Sequence, residues 1–372
     1  MITSKGVSRG FVGTKILRIV DSHNLNVFSE NAVVVAHDSE NVYFAKNVLS
    51  TLNHLQTYQC GITCLDSAFI NSLHLGDIVS ISEDGRVNVL WQSGQDDNLL
   101  FATDFCNSKC IMCPQTQVSK PGHYYDQALQ ILKLVKDTPK FLCISGGEPT
   151  FIKEKYLDIV SLINKKFPNV ALQVLTNGKN FSDFDFTKNC VIASPIDSLY
   201  GIPLYSGNPS LHDEIVRTRG SFEKTVKGII NLYKLKQNIE IRVVITKQNY
   251  KDLTNIAHFI YWNMPFVFHI TFMGMETHGS AYENLEEVWV EPVEYVEYLE
   301  RAVSFLNDRL LNVSVYNLPH CLLPVTLRKF AKDSISAWKK TFLEPCHNCS
   351  MISVCSGVFA TSRRNPAGIH KI

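Results

Sequence analysis

Three cysteines stand at C-x3-C-x2-C in Phe105-Cys106-Asn107-Ser108-Lys109-Cys110-Ile111-Met112-Cys113-Pro114, so three thiolates lie within eight residues on one short loop. Soft thiolates are the donors that iron–sulfur clusters and zinc select. A cubane cluster usually takes four of them. Three local ligands leave one iron without a protein donor, and an open position is what lets a metal bind a substrate or cofactor. The run alone also fits part of a zinc site, or a coincidence in a chain with 11 cysteines.

A second signal follows a helical stretch: Phe141-Leu142-Cys143-Ile144-Ser145-Gly146-Gly147-Glu148-Pro149, an apolar strand ending in GGEP. Glycine has no side chain, so backbone there tolerates close approach. Cysteine run, strand and GGEP together resemble the radical S-adenosylmethionine (radical SAM) enzymes. The resemblance implies that Cys106, Cys110 and Cys113 hold a [4Fe–4S] cluster, with the amino and carboxylate groups of SAM chelating the fourth iron. It also implies the reaction: one electron splits SAM into methionine and a 5′-deoxyadenosyl radical, which abstracts a hydrogen. It assigns Met112, Gly146, Gly147, Glu148 and Pro149 to the SAM site, the glycines at the methionyl end and Glu148 at the amino group.

Composition bounds the remainder. A length of 372 residues allows about two or three domains. Hydrophobic content of 45% and charged content of 19% suit a globular core. Lys+Arg 36 against Asp+Glu 35 leave a net charge of +1, too balanced for a broad footprint toward nucleic acid or anionic membrane. No apolar run approaches the roughly 18 residues of a membrane span, and the opening MITSKGVSRG lacks a signal-peptide core. The chain is therefore expected in the cytoplasm, its cysteines serving as reduced thiols and metal ligands.

Residues 1–95 read as a β-rich module. Runs at Lys15–Val20, Asn31–Ala36 and Asn41–Ala45 are short and apolar, and Gly76–Ser82 with Val87–Trp91 form a hairpin about an Asp-Gly turn. Cys60 and Cys64 are expected to be buried thiols, as are Cys143 and Cys190. Residues 96–278 alternate strands with helices, the pattern of parallel βαβ units. The strands are expected at Leu99–Ala102, before GGEP, at Ala171–Leu175, Gly201–Ser206, Glu240–Ile245 and Phe266–Phe272. Asp126 and Ser221 are placed as helix caps. Six β/α repeats match the radical SAM family's open (β/α)6 partial TIM barrel, an α/β fold. From the same resemblance, Asn177 of Thr176-Asn177-Gly178, Ser206 and Arg217 are candidate SAM contacts; the Asn-Gly alone is equally a turn, and Arg217 equally a solvated arginine.

Residues 279–372 form a third region. Pro292 opens a helix with Val293, Val296, Leu299, Val303 and Leu306 on its apolar face. Cys321 lies upstream of Cys346, Cys349 and Cys355, which stand at C-x2-C-x5-C. Four such ligands close a structural site, either zinc or iron–sulfur. The spacing resembles SPASM and twitch extensions, truncated because Phe359 stands where a further cysteine is expected. That resemblance implies one auxiliary [4Fe–4S] cluster. The β-rich start, CNSKCIMCPQ, SGGEPT, HDEIV with GSF, YNLPHC, SISAWK and the ending C-x2-C-x5-C-x-G are together similar to the C-type His-Xaa-Ser system radical SAM maturase. Ser356 departs from an expected glycine, and glycine is common at the position of Arg217. The family implies a ribosomally synthesised precursor peptide as substrate, a second radical SAM maturase as partner, and a flavodoxin- or ferredoxin-like electron donor.

Overall fold

The computed structural model describes residues 2–21, 32–36, 47–50, 60–96, 98–115, 118 and 122–372. Two compact units result: residues 1–100, 123–143 and 162–170 in one, and 101–122, 144–161 and 171–372 in the other. The first holds an eight-stranded sheet of β1 (Thr3–Lys5), β2 (Val7–Arg9), β3 (Lys15–Val20), β4 (Ala32–Ala36), β5 (Asn47–Ser50), β6 (Cys60–Thr63), β7 (Ile78–Ile81) and β8 (Arg86–Trp91). Their order is β1-β8-β7-β3-β4-β5-β6-β2. The β7–β8 hairpin forms where the Asp-Gly turn demands it, with Gly85 at φ 85°. Leu17, Ile19, Val33, Leu49, Ile62, Val79 and Ile81 fill the core on this sheet. The run Asn41–Ala45, and Asn31, lie outside the described residues. Cys143 and Cys190 are buried as expected. Cys60 and Cys64 are not, since Cys60 opens β6 and Cys64 lies just past its end, half-buried and exposed respectively.

The second sheet comprises β9 (Leu99–Phe101), β10 (Phe141–Ser145), β11 (Ala171–Leu175), β12 (Ser198–Pro203), β13 (Asn238–Val244), β14 (His269–Met273), β15 (Val313–Tyr316) and β16 (Ala331–Lys332). They run in strict chain order, and β11 through β16 pair in parallel. This is the α/β fold with a parallel sheet. Two strands from the third region extend it beyond the six expected. A small antiparallel pair, β17 (Lys340–Thr341) and β18 (Val358–Phe359), lies near the end. Among the described residues no helix is long and apolar enough to cross a membrane.

Local expectations shift where backbone chemistry decides. Strand β12 begins three residues earlier than expected and ends at Pro203, so the missing N–H falls at the strand's last position. Ser206 therefore lies beyond the strand. Asp126 sits inside the first turn of helix Tyr124–Leu134, after His123. Ser221 is the first residue of helix Ser221–Lys234, not its cap: Gly220 takes that place at φ 71°, and the Asp213 carboxylate accepts from the N–H groups of Gly220 and Phe222. Helix Pro292–Asn307 buries Tyr295, Leu299, Val303 and Leu306, but Val293 is 81% exposed because it falls on the opposite side of the first turn.

Candidate metal and cofactor centre

Strand β9 delivers the chain into the cysteine loop, and the end of β10 docks directly onto it. Gly147 N donates to Thr103 O at 2.7 Å and Glu148 N to Phe105 O at 2.7 Å. A Cβ on Gly146 would lie 2.4 Å from Thr103 O, and one on Gly147 2.3 Å from Phe105 O. Here the two glycines admit the chain's own backbone. Pro149 is buried at the start of a 3-10 turn, Pro149–Ile152.

Glu148 is fully buried. Its Oε1 accepts from Thr150 N (3.0 Å), Thr150 Oγ1 (2.5 Å) and Thr176 Oγ1 (2.7 Å), and Oε2 accepts from Asn177 N (2.6 Å). Burial pushes its carboxyl up, while the Thr150, Asn177 and Thr176 donors pull the other way. One carboxylate thus joins GGEP to Thr176-Asn177-Gly178. That turn, with Gly178 at φ 76°, in turn reaches the cysteine loop. Asn177 Nδ2 donates to Asn107 Oδ1 at 2.6 Å and stands 3.9 Å from Cys106 Sγ; Lys179 Nζ donates to Asn107 O at 2.5 Å.

The far side of the loop is strapped as well. Lys109 N and Ile111 N donate to Val216 O and Ile215 O, Ala281 N donates to Cys113 O at 3.3 Å, and Asn284 Nδ2 to Ile111 O at 2.9 Å. Met112 is buried with Ile111, Tyr205, Ile215 and Val216. Burial pushes the Cys106 thiol up to about 11, and burial with the neighbouring thiols raises Cys110 further; burial raises Cys113 too. Three such thiols give up protons only against compensating positive charge, the condition that metal binding meets. Among the described residues no three His, Cys, Asp or Glu side chains converge as ligands of one ion. A cubane spreads its thiolates over separate irons, so three thiols on one loop are a donor set that fits such a cluster.

The other two candidates make different contacts. Ser206 is buried, its Oγ donating to Asp252 Oδ2 at 2.8 Å and accepting from Asn208 N at 2.9 Å. Arg217 pairs with Glu287 at 3.1 Å, both about half exposed. Its φ of 48° lies where glycine is favoured, which accounts for the glycine common at this position in the resembling family.

Strand β13 carries polar residues on the face that meets the loop. Val244 packs against the cluster that holds Ile111, Met112 and Tyr205. Arg242 and Glu240 share its side by the two-residue period, whereas Ile239, Ile241 and Val243 are buried on the other. Arg242 Nη1 donates to Glu240 Oε2 at 2.7 Å, Glu240 Oε1 shares a hydrogen bond with His269 Nδ1 at 2.9 Å, and Tyr316 OH donates to Glu240 Oε1 at 3.4 Å. His269 Nε2 meets Ser314 Oγ at 3.0 Å. Burial pushes Glu240 up, but His269 and Arg242 outweigh it and hold the carboxyl below its ordinary range. Thr271 Oγ1 is buried and has no partner among the described residues.

Cys321, Cys346, Cys349 and Cys355 line one cavity, together with His320 and His370. Burial raises the Cys321 thiol, and Cys355 and Cys346 add to the rise. Cys349 is held below the ordinary range by backbone hydrogen bonds at Ile372 and Met351. His320 is buried, and its Nδ1 has no partner among the described residues. Four thiols lining one cavity are a donor set that fits a cluster, whose thiolates bind separate irons.

Sequence reasoning did not single out Asn107, Lys179, Tyr205 or Asn284 for the loop, nor Glu240, Arg242, His269 and Tyr316. The alternation of β13 was the available signal for Glu240 and Arg242. A lysine after Asn-Gly carries no mark of burial.

Residues 100–260 match the Radical SAM superfamily. The tungsten-containing aldehyde ferredoxin oxidoreductase cofactor-modifying protein of Pyrococcus furiosus is 29% identical over 168 residues, 42% of this chain and 46% of that protein. The chain thus matches just under half the length of that relative. Streptococcus suis SuiB bound to S-adenosylmethionine is 14% identical with a TM-score of 0.47, over 61% of this chain and 51% of that one. Native anSMEcpe with bound AdoMet and Kp18Cys peptide is 16% identical with a TM-score of 0.45, over 58% and 63%.

Proposed function

We propose, from the match of residues 100–260 to the Radical SAM superfamily, that this chain reductively cleaves SAM and modifies a ribosomally synthesised peptide. The observation that carries the reading is the joining of the two motifs: GGEP is bonded through backbone to Thr103 and Phe105, at the threshold of Cys106. Cys106, Cys110 and Cys113 would hold a [4Fe–4S] cluster. When bound, cluster and SAM supply one-electron cleavage and hydrogen abstraction, and the protein's own task is orientation and exclusion of competing reactions. Glu148 and Asn177 fix the loop's inner edge, Met112 and Tyr205 would close it against water, and Arg242 with Tyr316 would contact substrate. Cys321, Cys346, Cys349 and Cys355 would hold one auxiliary [4Fe–4S] cluster, in a truncated SPASM-like extension. The resemblance to the C-type His-Xaa-Ser maturase supports a His-Xaa-Ser-type peptide, a second maturase and a flavodoxin- or ferredoxin-like donor, all in the cytoplasm.

The test is anaerobic reconstitution and reduction. Wild-type protein should release 5′-deoxyadenosine from SAM, and the variant with Cys106, Cys110 and Cys113 all replaced by alanine should release none. Undiminished cleavage in that variant would sink the reading. A scaffold that only presents peptide to a second maturase is the alternative, and it gains if the triple variant still supports peptide modification.

A further inference from the structure

We infer that Lys179 is a positioning cation for the three-cysteine loop, gathering its thiolates and making the bound cluster easier to reduce; this rests on the cluster reading above. Lys179 is 5% exposed, a burial that lysine almost never adopts unpaired. Its Nζ reaches Asn107 O at 2.5 Å, one residue past the first cysteine. Asn177 holds the Asn107 side chain at 2.6 Å from the same turn, so the ammonium group is held against the loop's backbone at Asn107. Burial pulls its ammonium below the ordinary lysine range; Cys106, Cys110 and Glu148 support its charge when ionised, and Lys224 opposes it.

Burial works against the charge of an isolated ammonium, and neighbouring thiolates work for it. Three thiolates give a cluster of this kind net negative charge, which grows by one on reduction. A fixed cation shielded from water therefore favours the reduced form, since net charge and nearby dipoles set cluster potentials. Asn107 O needs only a donor, which an amide could supply. Charge and hydrogen bond can thus be separated by substitution.

Reconstituted wild type, Lys179→Gln and Lys179→Arg are titrated with dithionite in the absence of SAM. The readout is the reduced-cluster EPR signal that the triple-cysteine variant lacks. Lys179→Gln should show at least a threefold lower ratio of reduced to oxidised cluster at fixed potential, about 30 mV at about 59 mV per tenfold for one electron. Lys179→Arg should match wild type. Equal potentials in all three proteins overturn the inference, as does an equal fall in both variants. Cluster assembly in Lys179→Arg but not in Lys179→Gln supports it, because charge is then what gathers the thiolates. Loss of the cluster from both overturns it in favour of side-chain shape. Wild-type protein without this signal overturns the cluster reading itself, a result distinct from any difference among variants.

Discussion

Gly147 has no room for a side chain. Its added Cβ would meet Phe105 O at 2.3 Å, and that oxygen belongs to backbone that can move only by carrying Cys106 with it. Gly147→Ala should therefore lose the iron of the three-cysteine loop while keeping that of Cys321, Cys346, Cys349 and Cys355, measured as iron per chain after anaerobic reconstitution. His212 makes a pH-dependent contribution. It is buried, and its Nδ1 accepts from Tyr205 N at 3.3 Å, a role a protonated ring cannot fill. Burial lowers it to about 4 from 6.5. A folded value below the unfolded one means stability is full above pH 6.5 and is lost as pH falls toward 4. Roughly 2 kcal/mol should be gone by pH 5. Urea unfolding at pH 7.5 and 5.0 should show that loss in wild type and a smaller one in His212→Asn. At this scale the sequence exposed residues whose chemistry is rare, the cysteines and GGEP. It hid Lys179 and His212, whose importance comes from burial alone.

At the scale of elements, β13 shows how a strand can serve two ends. One side is aliphatic core, and the other presents Arg242 and buried Glu240, which His269 of β14 and Tyr316 of β15 also reach. Burial and the Glu240 charge push the Tyr316 hydroxyl up to about 12, so it remains a proton donor at neutral pH. Tyr316→Phe should slow peptide modification at least tenfold while sparing SAM cleavage measured without peptide. Equal loss of both rates would place Tyr316 in the fold rather than facing substrate. The strands themselves were readable because apolar runs and turn residues are local signals. The start of β12 was not, since Ser198-Leu199-Tyr200 follows helix Phe184–Ala193 closely and Pro203 drew attention to the wrong end. Pairings such as β1 with β8 and β2 with β6 are set by packing across the module, beyond any local window.

For the whole molecule, β15 matters most. It lies parallel beside β14, and a few residues later the turn His320–Leu322 places Cys321 in the C-terminal cavity. Cys321→Ser should lower iron from about eight to about four per chain, following the four-iron cluster type, while 5′-deoxyadenosine production persists. Retention of all iron would remove Cys321 from the ligand set. Time of synthesis enters through Asn284, which reaches back to Ile111 across 173 residues. At about 5–20 residues per second, roughly 9 to 35 s separate the two on the ribosome. Throughout that interval the three thiols emerge without their last strap, so iron delivery belongs after residue 284 has appeared. Nascent chains arrested short of that point should capture less iron at Cys106, Cys110 and Cys113 than chains arrested well beyond it.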